Sequence, residues 1–202
     1  MNPSELGRKY DKIAHWWHDQ HVDSSYGISQ IQRAVNYSDK GGKALDVGCG
    51  TGGRIIRLLE NSNFSVTGID VSKSMLSIAT ENHPEHTFMH QDICTWETED
   101  TFNFIVAWDS IFHIPLHMQE PVVSKLCQFL AKGGILIYTF GNDEGEHTDQ
   151  WRNDTFYYSS IGIKNNIQLL INSGMTILHL ELDQYLENHI YVITKNNNKN
   201  SL

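Results

Sequence analysis

Cysteine is scarce in this chain of 202 residues: Cys49, Cys94 and Cys127 are the whole complement. They are odd in number and far apart, so neither a disulfide framework nor a C-x-x-C metal knuckle can be built, and free thiols are expected. Long hydrophobic runs are also missing. The opening residues, "MNPSELGRKYDKIAHWW", are too polar for a signal peptide or a membrane anchor, which points to a cytoplasmic protein. Positive charge is short as well: 15 Lys and Arg stand against 24 Asp and Glu, a formal net charge of −9. That balance, with no basic stripe, disfavours nucleic acid and anionic lipid and suits a small or neutral partner.

What is present is one core's worth of apolar residues, 40% of the chain, arranged in alternation. Short strand-like runs ("ALDV", "FSVTGID", "HTFMHQD", "FNFIVAWD", "GILIYTF") are separated by helix-length segments. Ser72 is a plausible N-cap for a helix that buries Met75, Leu76 and Ala79 and stops before Pro84. Pro121 suits the first turn of another helix, with Leu126, Phe129 and Leu130 inward and Gly133 with Gly134 closing it. Ile163, Ile167, Leu170 and Ile171 form an apolar helical stripe ended by Gly174. The run "MTILHLELDQYLENHIYVIT" reads as an antiparallel pair. The architecture implied is an α/β Rossmann-like sheet of seven strands, mostly parallel, with helices on both faces and a C-terminal antiparallel hairpin. One domain is expected over 1–195: an N-terminal helical cap over 1–39, a ligand-binding core over 40–140, and an acceptor-side loop, helix and terminal hairpin over 141–195. The polar tail 196–202 is expected to be disordered.

In such a sheet the first strand-to-helix turn is where backbone approaches a ligand, and "GCGTGG" falls there. Gly48, Gly50 and Gly53 satisfy the G-x-G-x-x-G dinucleotide fingerprint, and Asp70, 22 positions after Gly48, can hold ribose hydroxyls in either kind of nucleoside site. Asp46 separates the two: a carboxylate in the turn approach repels a pyrophosphate and favours a cationic ligand. Asp92 adds an acceptor for an exocyclic amine. Taken singly, each carboxylate could cap a helix or pair with a lysine. Three at the ends of three successive strands point instead to an adenosine ligand carrying positive charge.

With these parts in place the sequence resembles the class I S-adenosylmethionine-dependent methyltransferases of the small-molecule type. The motifs are "LDVGCGTG" at 45–52, "VTGIDVSKSML" at 66–76, "HQDI" at 90–93, "FNFIVAWDSIFHI" at 102–114 and "LAKGGILIYTF" at 130–140. The likeness extends to "RKYDKIAHWW" as an N-terminal cap and to "YYSSIGIKNNIQLLINSGM" as a late helix, where Gly174-Met175 replaces the usual Gly-Phe. It implies S-adenosylmethionine as cofactor, with Gly48, Cys49 and Gly50 along the methionine part and Asp46 near its ammonium. Asp70 is expected on the ribose, Val71, Met75 and Ile93 around the adenine, and Asp92 on its amine. Trp108 and Asp109 fall beside the methyl group.

The reaction implied is in-line methyl transfer to a small organic acceptor, with no covalent protein nucleophile. Should the acceptor have to lose a proton, His113 is the leading base and His189 the second; the competing reading of His113 is a structural histidine. Tyr10, Trp16 and Trp17 are candidate covers of the site, and Trp151 and Tyr157 candidate acceptor walls. No Asn-Pro-Pro-Tyr-like segment follows the fourth strand; "WDSI" stands there. His15, His18 and His21, and the pair His113 and His117 interrupted by Pro115, lack the pattern of a metal site, and no bound metal is expected. Two other classes remain open at this point: an NAD-dependent oxidoreductase, and a non-catalytic partner subunit that keeps the fold.

Overall fold

The computed structural model of the protein describes residues 1–184 and 188–197. Its helices and strands run in the order α1 (Pro3–Asp11), α2 (Ala14–His21), α3 (Ile28–Asn36), β1 (Gly42–Val47), α4 (Arg54–Glu60), β2 (Phe64–Asp70), α5 (Lys73–Asn82), β3 (Thr87–His90), β4 (Phe102–Ala107), α6 (Gln119–Phe129), β5 (Leu130–Gly141), β6 (Glu144–Trp151), β7 (Asp154–Ile161), α7 (Gly162–Asn172), β8 (Met175–Asp183) and β9 (His189–Asn196). Seven strands form one sheet in the order β3-β2-β1-β4-β5-β9-β8. The first five are parallel, and β9 pairs antiparallel with both β5 and β8. This is the expected mostly parallel sheet with a terminal antiparallel hairpin.

Each face of the sheet is covered because its strands are apolar on both sides. On one face Ile31, Ala34 and Val35 of α3 and Ile56 and Leu59 of α4 pack on Val66, Phe104, Val106 and Ile137. On the other, Val122, Val123 and Leu126 of α6 and Leu170 of α7 pack on Leu45, Ile105, Leu136 and Val192. Ser72 caps α5 as its sequence predicts, accepting the Met75 N–H at 3.2 Å. Gly7 lets α1 cross this corner closely, since a Cβ there would stand 2.1 Å from the Val71 carbonyl oxygen.

The structure corrects several expectations. Gly133 and Gly134 do not close a helix: α6 ends at Phe129 and both glycines lie inside β5, where the register with β4 shifts between Phe102 and Phe104. Ile171 is 55% exposed, because Asn166 and Leu170 take the inward face of α7 and Asn166 accepts the buried Tyr138 hydroxyl at 2.8 Å. The segment 141–160 is not a loop but largely the antiparallel β6–β7 hairpin, whose turn residues Arg152 and Asn153 both have positive φ. Within 1–39, only α1 and α2 lie over the site, whereas α3 spends its apolar stripe on the sheet. Asn196, assigned to the tail, is the last residue of β9, buried and donating to the Leu130 carbonyl at 3.0 Å. Positions 198–202 of the expected tail lie outside the described residues. No helix among the described residues is long and apolar enough to cross a membrane.

Candidate functional site

A cavity of about 240 Å³ opens at the carboxyl ends of β1, β2 and β4, beneath α1 and α2. Its floor is the β1–α4 turn. Gly48 and Cys49 both direct their N–H groups back to the Ile69 carbonyl, at 2.8 and 3.1 Å, which folds the turn onto the end of β2. Gly48 has φ +74°, and a Cβ there would fall 2.3 Å from Cβ of Ser110, so only glycine fits between the two strand ends.

Asp70 ties this turn to the next. One carboxylate oxygen accepts the Gly50 N–H at 2.9 Å and the other the Ser72 N–H at 2.8 Å. Burial pushes its pKa up and these backbone bonds pull it down. Asp92, just past β3, caps its own turn by accepting the Cys94 N–H at 2.9 Å. Met75, Val71 and Ile93 supply apolar wall between the two acids.

The other end of the cavity is aromatic and histidine-rich. Trp108 is buried against Tyr26, His189 and Tyr191. Asp109, at φ +52°, is held by its own N–H to the Thr139 hydroxyl at 2.8 Å and by His189 Nε2 on its carboxylate at 2.7 Å. His113 is buried, with Nε2 3.1 Å from the Tyr10 hydroxyl and Nδ1 2.8 Å from the Tyr157 carbonyl oxygen. Burial drives its pKa down to about 4, against the opposing effects of the Tyr157 carbonyl and Asp109. Burial likewise pushes the Cys49 thiol well above its ordinary value, so that residue is no nucleophile at neutral pH.

Above these, Tyr10 and Trp17 meet edge to face at 5.8 Å, and Trp17 stacks on His21 at 3.9 Å. The β6–β7 hairpin clasps α1 and α2 from outside. Trp151 packs edgewise on Trp16 and Trp17, Arg152 lies 3.5 Å over the Trp16 ring, and Asp154 pairs with Lys12 at 2.9 Å.

All the expected cofactor residues except Asp46 therefore line one cavity: Gly48, Cys49, Gly50, Asp70, Val71, Met75, Asp92, Ile93, Trp108 and Asp109. Asp46 stands one layer below, 2% exposed, with Oδ2 lacking any hydrogen-bond partner. Its pKa is pushed up to about 7 by burial and by Asp70, with Arg54 opposing. Tyr10, Trp17 and His113 also face the cavity. Trp16, Trp151, Tyr157 and His189, expected there, do not line it. The first two belong to the outer clasp, and the Tyr157 hydroxyl turns away to Glu146, leaving only its carbonyl on His113. His189 sits behind Asp109, between it and Asp183, whose carboxylate is 3.6 Å from Nδ1.

Sequence reasoning missed Leu6, His21, Tyr26, Arg54 and Gln91, all of which line the cavity. Arg54 is the sole Lys or Arg among the described lining residues. Its Nε donates to the Tyr26 carbonyl at 2.7 Å and its guanidinium lies 5.6 Å over the Tyr26 ring. Its place as the first residue after the glycine turn was the available signal.

Residues 44–134 match the family model described as a methyltransferase domain. The chain is 33% identical over 115 residues to phosphoethanolamine N-methyltransferase 2 of Caenorhabditis elegans, covering 54% of this chain but only 26% of that protein. It is 26% identical over 208 residues to the ubiquinone biosynthesis O-methyltransferase of Rickettsia typhi, covering 90% and 82% of the two. The fold matches that of DhpI in its complex with SAH (S-adenosylhomocysteine) with a TM-score of 0.72 at 18% identity, over 98% of both chains. With motifs, topology and relatives in agreement, residues 44–134 form a methyltransferase domain, and the chain has the fold of the class I S-adenosylmethionine-dependent methyltransferases.

Proposed function

We propose that the protein transfers a methyl group from S-adenosylmethionine to a small-molecule acceptor by in-line displacement. The observation that carries this reading is that the glycine turn, the acids at the end of β2 and just past β3 and the aromatic cover of α1 and α2 meet in one cavity. The residues fit the cofactor on their own chemistry. Asp70 uses one lone pair of each oxygen on backbone N–H groups and has others for vicinal hydroxyls. Asp46, with one orphaned oxygen, is a buried acid in need of a nearby cation. Arg54 offers the opposite charge for a carboxylate. A zwitterionic amino-acid end satisfies both, whereas a pyrophosphate would satisfy Arg54 alone. Val71, Met75 and Ile93 would hold the adenine, Asp92 its amine, and the backbone of Gly48, Cys49 and Gly50 the methionine chain.

When bound, the cofactor supplies a methyl carbon made electrophilic by its sulfonium. The protein's own task is to place an acceptor lone pair in line with it, an effect worth roughly 7–11 kcal/mol in well-oriented systems. Tyr10 and Trp17 exclude water from that space. His113 has both ring nitrogens engaged, so it reaches an acceptor proton through the Tyr10 hydroxyl and not directly. A small acceptor is supported by the enclosed aromatic cover and by the net charge of −9. The names of the two relatives, a phosphoethanolamine and a ubiquinone-biosynthesis methyltransferase, agree with it.

The test is calorimetric titration of S-adenosylhomocysteine into the wild type and Asp70→Ala, with NAD as the control ligand. Micromolar binding is expected in the wild type, collapse in the variant, and no response to NAD. Silence with S-adenosylhomocysteine sinks the reading.

A further inference from the structure

We propose that Glu60, Glu85 and His86 form a binding site for one divalent transition-metal ion, joining the end of α4 to the loop between α5 and β3. Glu60 is the last residue of α4, and the adjacent Glu85 and His86 precede β3, so Glu60 meets that pair only in the fold. One ligand atom from each lies within 4.8 Å of the others. His86 is the telling member. Its side chain is only 7% exposed, neither Nδ1 nor Nε2 has a hydrogen-bond partner, and Nε2 lies 3.2 Å from Oε1 of Glu60 without the alignment of a hydrogen bond. A buried imidazole with both nitrogens unsatisfied is costly, and a metal ion on one of them removes half of that cost. Glu60 and Glu85 stand within hydrogen-bond reach of each other, and two carboxylates so close repel unless a proton or a cation stands between them.

A partner orients the set in the way metal ligands are usually oriented. His83, buried and parallel to His86 at 6.4 Å between ring centroids, places Nδ1 2.6 Å from the same Glu60 oxygen. Such an outer bond fixes a ligating carboxylate, and its loss ordinarily costs 10–100-fold in metal affinity. The far edge of the His83 ring faces Gly52, where a Cβ would come within 3.0 Å of Cδ2. The site thus buttresses the glycine turn from behind, outside the cavity and on the other side of His83. Two carboxylates and one imidazole leave positions for water, and the imidazole favours Zn²⁺ over Mg²⁺ and Ca²⁺.

The experiment uses chelator-stripped full-length protein, with ZnCl2 as probe and MgCl2 as control, read by calorimetry and thermal melting in the absence of any nucleoside. The wild type is expected to bind one equivalent of Zn²⁺ and to melt at higher temperature with it, with no response to Mg²⁺. Glu85→Gln, a change at an exposed side chain, is expected to weaken Zn²⁺ at least about tenfold, and His86→Ala to abolish binding. Should His86→Ala fail to fold, Glu85→Gln alone decides. Absence of Zn²⁺ heat in the wild type overturns the proposal in favour of a plain Glu60–His86 ion pair. Zn²⁺ binding unchanged in Glu85→Gln also overturns it, placing the ion on other histidines. Neither result depends on whether S-adenosylhomocysteine binds.

Discussion

The Tyr10 hydroxyl donates to Nε2 of His113 across 103 positions of sequence, at 3.1 Å. The tautomer follows from the other nitrogen: Nδ1 faces the Tyr157 carbonyl, which can only accept, so Nδ1 carries the proton and Nε2 is the acceptor. Burial pushes the ring's pKa down to about 4, so it is neutral at physiological pH. Burial also raises that of the Tyr10 hydroxyl, so the pair can pass a proton only in concert with an acceptor that gives one up to Tyr10. Tyr10→Phe keeps the ring packing on Trp17 and Phe156 and removes only the hydroxyl. S-adenosylhomocysteine affinity is therefore expected to hold, while turnover with an acceptor that must lose a proton falls about 10²-fold. Tyr10→Phe combined with His113→Asn should do no further harm, since the two act as a unit. Undiminished turnover in Tyr10→Phe, measured by transfer of labelled methyl, excludes the relay.

Among the described residues, Arg54 is the one Lys or Arg lining a cavity that also carries Asp70, Asp92 and Asp109. Its Nε bond to the Tyr26 carbonyl uses one of five N–H donors. A charge-assisted bond to a carboxylate is worth about 1.5–3 kcal/mol, so Arg54→Gln should weaken S-adenosylhomocysteine roughly 10–100-fold. Binding of 5′-methylthioadenosine, which has the nucleoside but no amino-acid end, should stay as in the wild type. Equal losses for the two ligands would show that Arg54 acts only by propping Tyr26.

Two buried groups give the apoprotein opposing pH dependences. Asp46 titrates at about 7 in the fold, above its unfolded value, because burial and Asp70 disfavour the anion. The native state then holds more protons, so its contribution is greatest below about pH 4 and is lost as the pH rises to about 7. His113, depressed to about 4 by burial, does the reverse: its contribution is present above about pH 6.5 and is lost as the pH falls through 4. Each slope is about 1.4 kcal/mol per pH unit at most, and in the wild type they largely cancel. Asp46→Asn should leave stability that rises between pH 4 and 6.5, and His113→Asn stability that falls over the same range. Urea midpoints that run parallel to the wild type in both variants would refute these assignments.

The parts of this molecule that were legible in its sequence are those fixed by local pattern. Apolar runs ending in Asp46, Asp70 and Asp92, the glycine turn and the Ser72 cap each depend on residues within a few positions, and the parallel sheet follows from their alternation. The β6–β7 hairpin was not legible, because β6 is exposed along nearly its whole length and shows no apolar alternation. Its turn also uses Arg152 and Asn153 at positive φ, where Asn-Gly or Asp-Gly is the usual signal. Ile171 misled because a helical stripe does not disclose which of its members the core will take. Arg54, Tyr26 and the Glu60–His86 contact exist only once distant segments meet.

The contact between Gly48 and Ser110 tests how far the turn depends on close approach. Gly48 combines φ +74° with a Cβ position 2.3 Å from the Ser110 Cβ, whose hydroxyl is buried and unpartnered. Gly48→Ala meets two penalties, a left-handed backbone that alanine resists and an overlap with Ser110, in the segment that follows β4. It should destabilise the protein by about 2–4 kcal/mol and displace the N–H groups of Gly48 and Cys49 from the Ile69 carbonyl. Ser110→Gly removes the atoms in the way without touching the backbone conformation. The double variant Gly48→Ala with Ser110→Gly should therefore recover the part of the loss due to overlap, leaving about 1 kcal/mol or more for the left-handed φ. Thermal unfolding of the four proteins separates the two terms: no recovery in the double variant would mean that the backbone conformation, and not the contact with Ser110, is what demands glycine.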